Sequence, residues 1–303
     1  MRRFAAEGAL VSAAFFFGVT FPLVHNALDD VTPFAYLVLR FVVALLALAP
    51  FAIAIVRRRG DDRRLLVRVG IVAGLFMFGG YATQTVGLQY TTPSTSAFIT
   101  GLYVMFTPFI EGVLRRAWPA PRVFASAVLA TFGLYLLTGA DIGGIGRGEL
   151  LTLACAFLFA IWIVYQGNYA ARLHPIPFMS MQMVTLVIVG LPVMTRQGVG
   201  ELNGEVWFAI IFTGIACSAV ALSLQLWGQR RIPPSRAALI LLMEPVFAGV
   251  AGYVDGERLG AVEIIGAVVI LVAIAIAELG PRTRPLGSER EAGRVTRPVA
   301  SDP

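Results

Sequence analysis

The sequence predicts an all-α integral membrane protein: ten transmembrane helices arranged as two inverted five-helix repeats. Three observations lead there. First, 57% of the 303 residues are hydrophobic and only 14% are charged, with a mean hydropathy of +0.78; soluble domains carry about 25% charged residues. Second, ten apolar runs can be marked, and none alternates with the period of two that a strand requires. Third, the two halves of the chain repeat each other.

The runs cover residues 8–28, 33–56, 65–88, 94–114 and 123–137 in the first half. In the second they cover 149–171, 177–194, 206–228, 235–254 and 260–279. Each has helix length for a bilayer at about 1.5 Å per residue. The first follows Arg2 and Arg3 as a signal peptide would, but no clean small-residue cleavage site follows, so it reads as a retained helix. An offset of 142 maps Phe15 on Phe157, Phe17 on Phe159 and Pro33 on Pro175. An offset of 141 maps Gln84 on Gln225, Gly87 on Gly228, Pro93 on Pro234, Ser94 on Ser235 and Ile99 on Ile240. Pro108 then maps on Pro245 at an offset of 137, so the first copy carries four extra residues, about one helical turn. The expected domains are residues 1–140 and 141–280, followed by a polar, Pro-containing tail at 281–303 that is expected to be disordered.

Charge sets the orientation. The formal net charge is +6 and every basic residue is arginine. The arginines flank apolar runs, which argues for membrane topology and against nucleic acid. With the N-terminus inside, fifteen arginines fall in or beside inner loops against three outside (Arg147, Arg196 and Arg258), and the tail adds more inside. The expected location is a cell (inner or plasma) membrane, crossed many times, with both termini cytoplasmic. Five spans per copy is an odd number, so the second copy must be upside down relative to the first. Inverted repeats enclose a cavity that can open to either side.

The stretch RRIPPSRAALILLMEPVFAGVAGYVDGE carries the clearest chemistry. Glu244 sits near the middle of its apolar run. A carboxylate at that depth costs roughly 2.5–3.5 kcal/mol, so it requires a partner, a proton or a wet cavity. Pro245 removes a backbone donor, and the helix is expected to bend at the carboxylate. Arg40, in the second run, can meet an anionic group or Glu244; the alternatives are snorkelling to the interface or pairing with Asp29 and Asp30. Tyr81, Gln84, Tyr103, Thr107, Trp162 and Tyr165 lie at depths suited to lining a cavity, with helix packing as the plainer role for each. Pro108 and Pro245 are candidate hinges. Glu111 and Glu263 lie nearer helix ends and are expected to be solvated or interfacial, and His25 to be satisfied locally. Gly70 and Gly74 form a small-xxx-small pair suited to packing within the bundle. Cys155 and Cys217 fall in apolar runs and suggest neither a disulfide framework nor a zinc site.

These segments resemble the drug/metabolite transporter superfamily, of the EamA type. FGVTFPLVHNAL opens the first helix, Arg40-Phe41 stands in the second, PSTSAFITGLYVMFTP in the fourth, and the Glu244-Pro245 pattern in the ninth. The resemblance implies a ten-helix inverted-repeat carrier with a central cavity. It departs in one place: the fourth helix carries Thr107-Pro108 where the ninth carries Glu244-Pro245, which puts a symmetric pair of carboxylates in doubt.

The function expected is secondary active transport, as an exporter, of a small organic metabolite, amino acid or drug by alternating access, with proton coupling through Glu244 as an option. No P-loop, HExxH or GxSxG motif occurs, so no enzyme activity, cofactor or metal is expected. A lipid-linked flippase or intramembrane enzyme is the alternative, and a non-transporting scaffold or sensor a third reading. The expected partners are a small-molecule substrate and membrane lipid, without nucleic acid, for a monomer or homodimer.

Overall fold

Helix starts are written into the sequence by proline and by small polar caps. The computed structural model describes residues 2–19, 23–24, 27–59, 62–116, 118–139, 146–254 and 260–278. His25, Asp61 and the 281–303 tail lie outside the described residues. The first half comprises α1 (Arg2–Val19), α2 (Pro33–Arg59), α3 (Arg63–Gly87), α4a (Pro93–Gly101), α4b (Tyr103–Arg115) and α5 (Pro121–Thr138). The second comprises α6 (Arg147–Ala170), α7 (Pro175–Gln197), α8, α9a (Pro234–Leu241), α9b (Glu244–Val254) and α10 (Ala261–Glu278). The span α8 is composite: α-helical over Gly204–Thr213, π-helical over Gly214–Ala221 and α-helical again over Leu222–Gln229. Pro33, Pro93, Pro121, Pro175 and Pro234 each open a helix, where a missing N–H costs nothing. Asp62 caps α3 by accepting from Arg64 N (3.0 Å) and Leu65 N (3.1 Å), and Asn203 caps α8 by accepting from Val206 N (2.9 Å).

Counting α4a with α4b and α9a with α9b as single broken spans, the described residues give ten helices. Eight are long and apolar enough to cross a membrane, and Phe4–Val19 and Ala261–Ala277 are shorter apolar helices. Leu46, Phe51, Phe208 and Val268 stand more than half exposed on the outer surface of the bundle, an arrangement suited to lipid rather than water.

The packing is duplicated like the sequence. The counterparts α2 and α7 pack on each other, as do α5 and α10. The α3 contacts with α6 and α7 are matched by α8 with α1 and α2, and α4 on α6 by α9 on α1. This is the pattern of a two-fold exchange of the halves, and five spans per half make it an inverted one. Glycines allow the close crossings. A Cβ on Gly133 of α5 would lie 2.8 Å from Gly266 O of α10, and one on Gly266 would lie 2.6 Å from Gly133 O. Gly74 meets Gln182 O of α7 in the same way at 2.7 Å, and Gly70 meets Met181, so this pair packs within the bundle.

The two halves are tied at both ends. At one end Val31 bridges Gly200, Thr32 N donates to Val199 O (3.1 Å), Glu201 N donates to Asp30 O (2.8 Å) and Asn203 Nδ2 donates to Asp30 Oδ2 (2.8 Å). At the other, Glu111 accepts from Ser235 N (3.0 Å) and from the Ser235 hydroxyl. Glu111 is only 3% exposed. This corrects the expectation that it is solvated: the start of α9a reaches across and desolvates it, and the free N–H groups of that helix turn stabilise the carboxylate.

Candidate functional site

Between the halves, where both broken spans bend, lies a cavity of about 120 Å³. At roughly 10–15 Å³ per water on this scale, it holds several waters or a small organic molecule. The span α9 supplies Glu244. Pro245 cannot donate to the Leu241 carbonyl four residues back, and the helix stops there: α9a ends at Leu241 and α9b begins at Glu244. The bend falls at the carboxylate as expected, and it turns Glu244 into the cavity wall. Glu244 is half-buried, and its carboxylate makes no hydrogen bond among the described residues. Gly18 of α1 lets this turn approach: a Cβ there would contact the Glu244 carbonyl and lie 2.9 Å from Ala248 N.

Arg40 lines the same cavity and is 7% exposed. Its Nε donates to Ser218 Oγ at 2.7 Å, and its guanidinium lies 5.7 and 5.8 Å from the Phe41 and Tyr81 ring centroids. Asp30 bonds Asn203 instead, and both Asp29 and Asp30 are exposed. Glu244 and Arg40 face the cavity within Coulomb range, without an ion pair of 4.0 Å or less among the described residues.

The remaining wall combines aromatic, amide, hydroxyl and aliphatic side chains, with Phe41 packed behind it. Phe41, Tyr81, Phe159 and Trp162 form a chain of ring contacts at 5.4, 5.0 and 5.9 Å. Trp162 Nε1 donates to Gln182 Oε1 at 2.7 Å, so its polar edge is satisfied and its ring face serves the cavity. Tyr103 lines the cavity, as does Gln84, whose Nε2 donates to Thr100 Oγ1 at 3.3 Å. The counterpart of Gln84, Gln225, lines it too, with a buried Nε2 that has no partner among the described residues.

Of the residues singled out from the sequence, Thr107 and Tyr165 do not line this cavity. Thr107 is fully buried and its hydroxyl donates to Tyr103 O at 2.6 Å. Tyr165 packs on Phe76 and Tyr169, with centroids 6.0 and 5.3 Å away. Pro108 is buried within α4b. The helix breaks explain the displacement of Thr107. The residue that opens α4b is Tyr103, and 141 positions later Glu244 opens α9b. The four extra residues of the first copy therefore fall after the break, and Tyr103 occupies the place of Glu244. The lining residues that sequence reasoning did not single out include Tyr36, Thr85, Phe159 and Cys217, and it also missed the supporting Ser218. Tyr36 was within reach of it, since it precedes Arg40 by one helical turn; Ser218 was not, because it reaches Arg40 from the π-helical segment.

The cavity breaks the symmetry of the halves. Val24, Tyr36, Leu37, Thr85 and Leu88 line it, and none of their counterparts Gln166, Phe178, Met179, Leu226 and Gln229 does. The cavity thus extends toward the end where α2 starts and α3 finishes, and the opposite end is closed. In that closed end both side-chain polar atoms of Gln166 and the Oε1 of Gln229 are buried with no partner among the described residues. Buried, unpaired amides cost about 1–3 kcal/mol each.

The sequence profile of the EamA-like transporter family matches residues 5–139 and again residues 146–278. An uncharacterized transporter of Archaeoglobus fulgidus is 34% identical over 282 residues, covering 92% of this chain and 87% of that protein. The uncharacterized transporter YyaM of Bacillus subtilis is 23% identical over 284 residues, covering 88% and 92%. A solved crystal structure superposes with a TM-score of 0.75 at 20% identity, over 91% of this chain and 97% of its own, which shows the shared fold.

Proposed function

The chain belongs to the EamA-like transporter family, and we propose that it is a secondary active transporter that exports a small organic solute by alternating access, with protons as the coupling ion through Glu244. In this reading it sits in the cell (inner or plasma) membrane with both termini cytoplasmic, as the arginine distribution favours. The cavity then opens outward, and the Glu111–Ser235 tie closes the cytoplasmic end. The broken spans would rearrange about the turns at Leu102 and just before Glu244-Pro245; Pro108, named as a hinge from the sequence, lies inside α4b and does not mark a break.

The observation that carries the reading is the one-sided cavity between exchangeable halves. The paired position Gln84/Gln225 lines it from both repeats, whereas the residues of its mouth have counterparts sealed in the other end. Two of those sealed counterparts, Gln166 and Gln229, carry unpaired amide atoms. Opening the sealed end would hydrate them and recover part of the cost of burying them. The test is solute flux into sealed liposomes holding the purified protein, across a broad metabolite panel, with and without a pH gradient. Protein-dependent, gradient-sensitive flux of at least one solute is expected. No flux for any member of the panel contradicts the proposal.

A further inference from the structure

Arg40 has five N–H donors in a planar fork. Ser218 takes one of them, and the Tyr36 hydroxyl also lies against the guanidinium. Nε donates to Ser218 Oγ at 2.7 Å, and both groups are buried, Ser218 completely. The serine arrives there through the π-helical segment Gly214–Ala221, the only π-helix among the described residues. Its neighbours fix the approach. Gly214 sits so close to α2 that a Cβ would lie 2.8 Å from the Arg40 carbonyl, and Thr213 Oγ1 lies 2.9 Å from the Tyr36 hydroxyl one turn before Arg40. The duplicated position gives a contrast. The counterpart of Arg40 is Gln182, whose Oε1 is used by Trp162 inside the protein. The cation therefore exists in one half only, and no carboxylate answers it within 4.0 Å among the described residues.

With Nε occupied, a side-on carboxylate that shares Nε and one terminal nitrogen is blocked. The end-on pair of terminal nitrogens remains, the geometry of a bidentate carboxylate. We propose that Arg40, oriented by Ser218, docks a carboxylate group of the transported solute. The proposal rests on the transporter reading above. The single cation on this wall matches a singly charged carboxylate and not a multiply charged anion such as a phosphate dianion, whose second charge would face Glu244 uncompensated. The Phe159 and Trp162 rings suit an apolar or aromatic body on that carboxylate, and the unpartnered Gln225 Nε2 offers a further donor. Ser218 acts through Arg40 and is a positioning residue.

The experiment uses the purified full chain and four probes: 3-phenylpropionate, its neutral isostere 3-phenylpropanamide, phenylalanine and phenethylamine. Ligand-induced thermal stabilisation gives apparent affinities. The carboxylate is expected to bind about tenfold more tightly than the amide, the scale of a hydrogen-bonded charge. Arg40→Gln is expected to remove that preference. Arg40→Lys keeps the charge without the fork and is expected to retain only part of it. Ser218→Ala is expected to weaken carboxylate binding roughly three- to tenfold while leaving the amide unchanged; a merely structural role would lower both. The ligand-free melting midpoint of each variant checks its folding. Equal binding of carboxylate and amide, a preference that survives Arg40→Gln, stabilisation by phenethylamine alone, or no stabilisation by any probe overturns the proposal. The transporter reading fails separately: an Arg40-dependent carboxylate preference with no liposome flux would sink transport and keep the docking site.

Discussion

Replacing Glu111 by alanine tests how the sealed end is held shut. The carboxylate is 3% exposed and joins α4b of the first half to the start of α9a in the second through two hydrogen bonds, from Ser235 N at 3.0 Å and from its hydroxyl. A hydrogen bond to a charged group contributes about 1.5–3 kcal/mol net. Even if the pair acts as a single bond, its loss weakens closure by about 2 kcal/mol, a factor of roughly 30 in the closed-to-open ratio. The readout is the reactivity of a single cysteine, Gln229→Cys, in a Cys155→Ala, Cys217→Ala background. Gln229 is 1% exposed behind this tie. Adding Glu111→Ala should raise its labelling rate by roughly ten- to thirtyfold. Glu111→Gln keeps an acceptor and should raise it less. A folded Glu111→Ala protein with unchanged labelling would refute the idea that this contact closes the end.

Three other predictions follow from the geometry. Gly18→Val would drive a side chain into the backbone of α9b, 2.9 Å from Ala248 N, and should lower stability by about 1–3 kcal/mol, read as a lower melting midpoint in detergent. Trp162→Phe leaves Gln182 Oε1 without its donor; a loss of about 1–3 kcal/mol is expected on denaturation, with the cavity otherwise intact. Glu244→Gln should abolish the response of flux to a pH gradient and preserve gradient-free exchange in liposomes; an unchanged gradient response excludes this carboxylate as the coupling group.

The span pattern was legible because bilayer crossing demands long apolar runs, and the repeat because prolines and glycines at helix starts and crossings keep their spacing. Glu244 and Pro245 were legible for a related reason: a charge and a missing donor at mid-span are costly enough to stand out. The register of α4 was not. The prolines suggested Thr107 as the partner of Glu244, but the chain breaks at Leu102, ahead of the four extra residues, and Tyr103 takes that place. Nor was the Ser218–Arg40 bond, because a π-helical segment shifts every later side chain around the helix and leaves no periodic trace. Glu111 was misread because proximity to a helix end does not reveal a neighbouring helix that starts on top of it. The one-sidedness of the cavity belongs to the conformational state and not to composition, so the halves alone could not foretell it.

The central claim is that one chamber between two flipped halves is reached from one face at a time. Its most direct test is a matched pair of single-cysteine proteins, Leu88→Cys and its counterpart Gln229→Cys, labelled with a membrane-impermeant maleimide from each face in turn. The account predicts that Leu88→Cys reacts from one face in the resting protein. Gln229→Cys should stay protected until the tie is released, and should then react only from the opposite face. Reaction of both positions from the same face, or of both at once through the chamber, would contradict it.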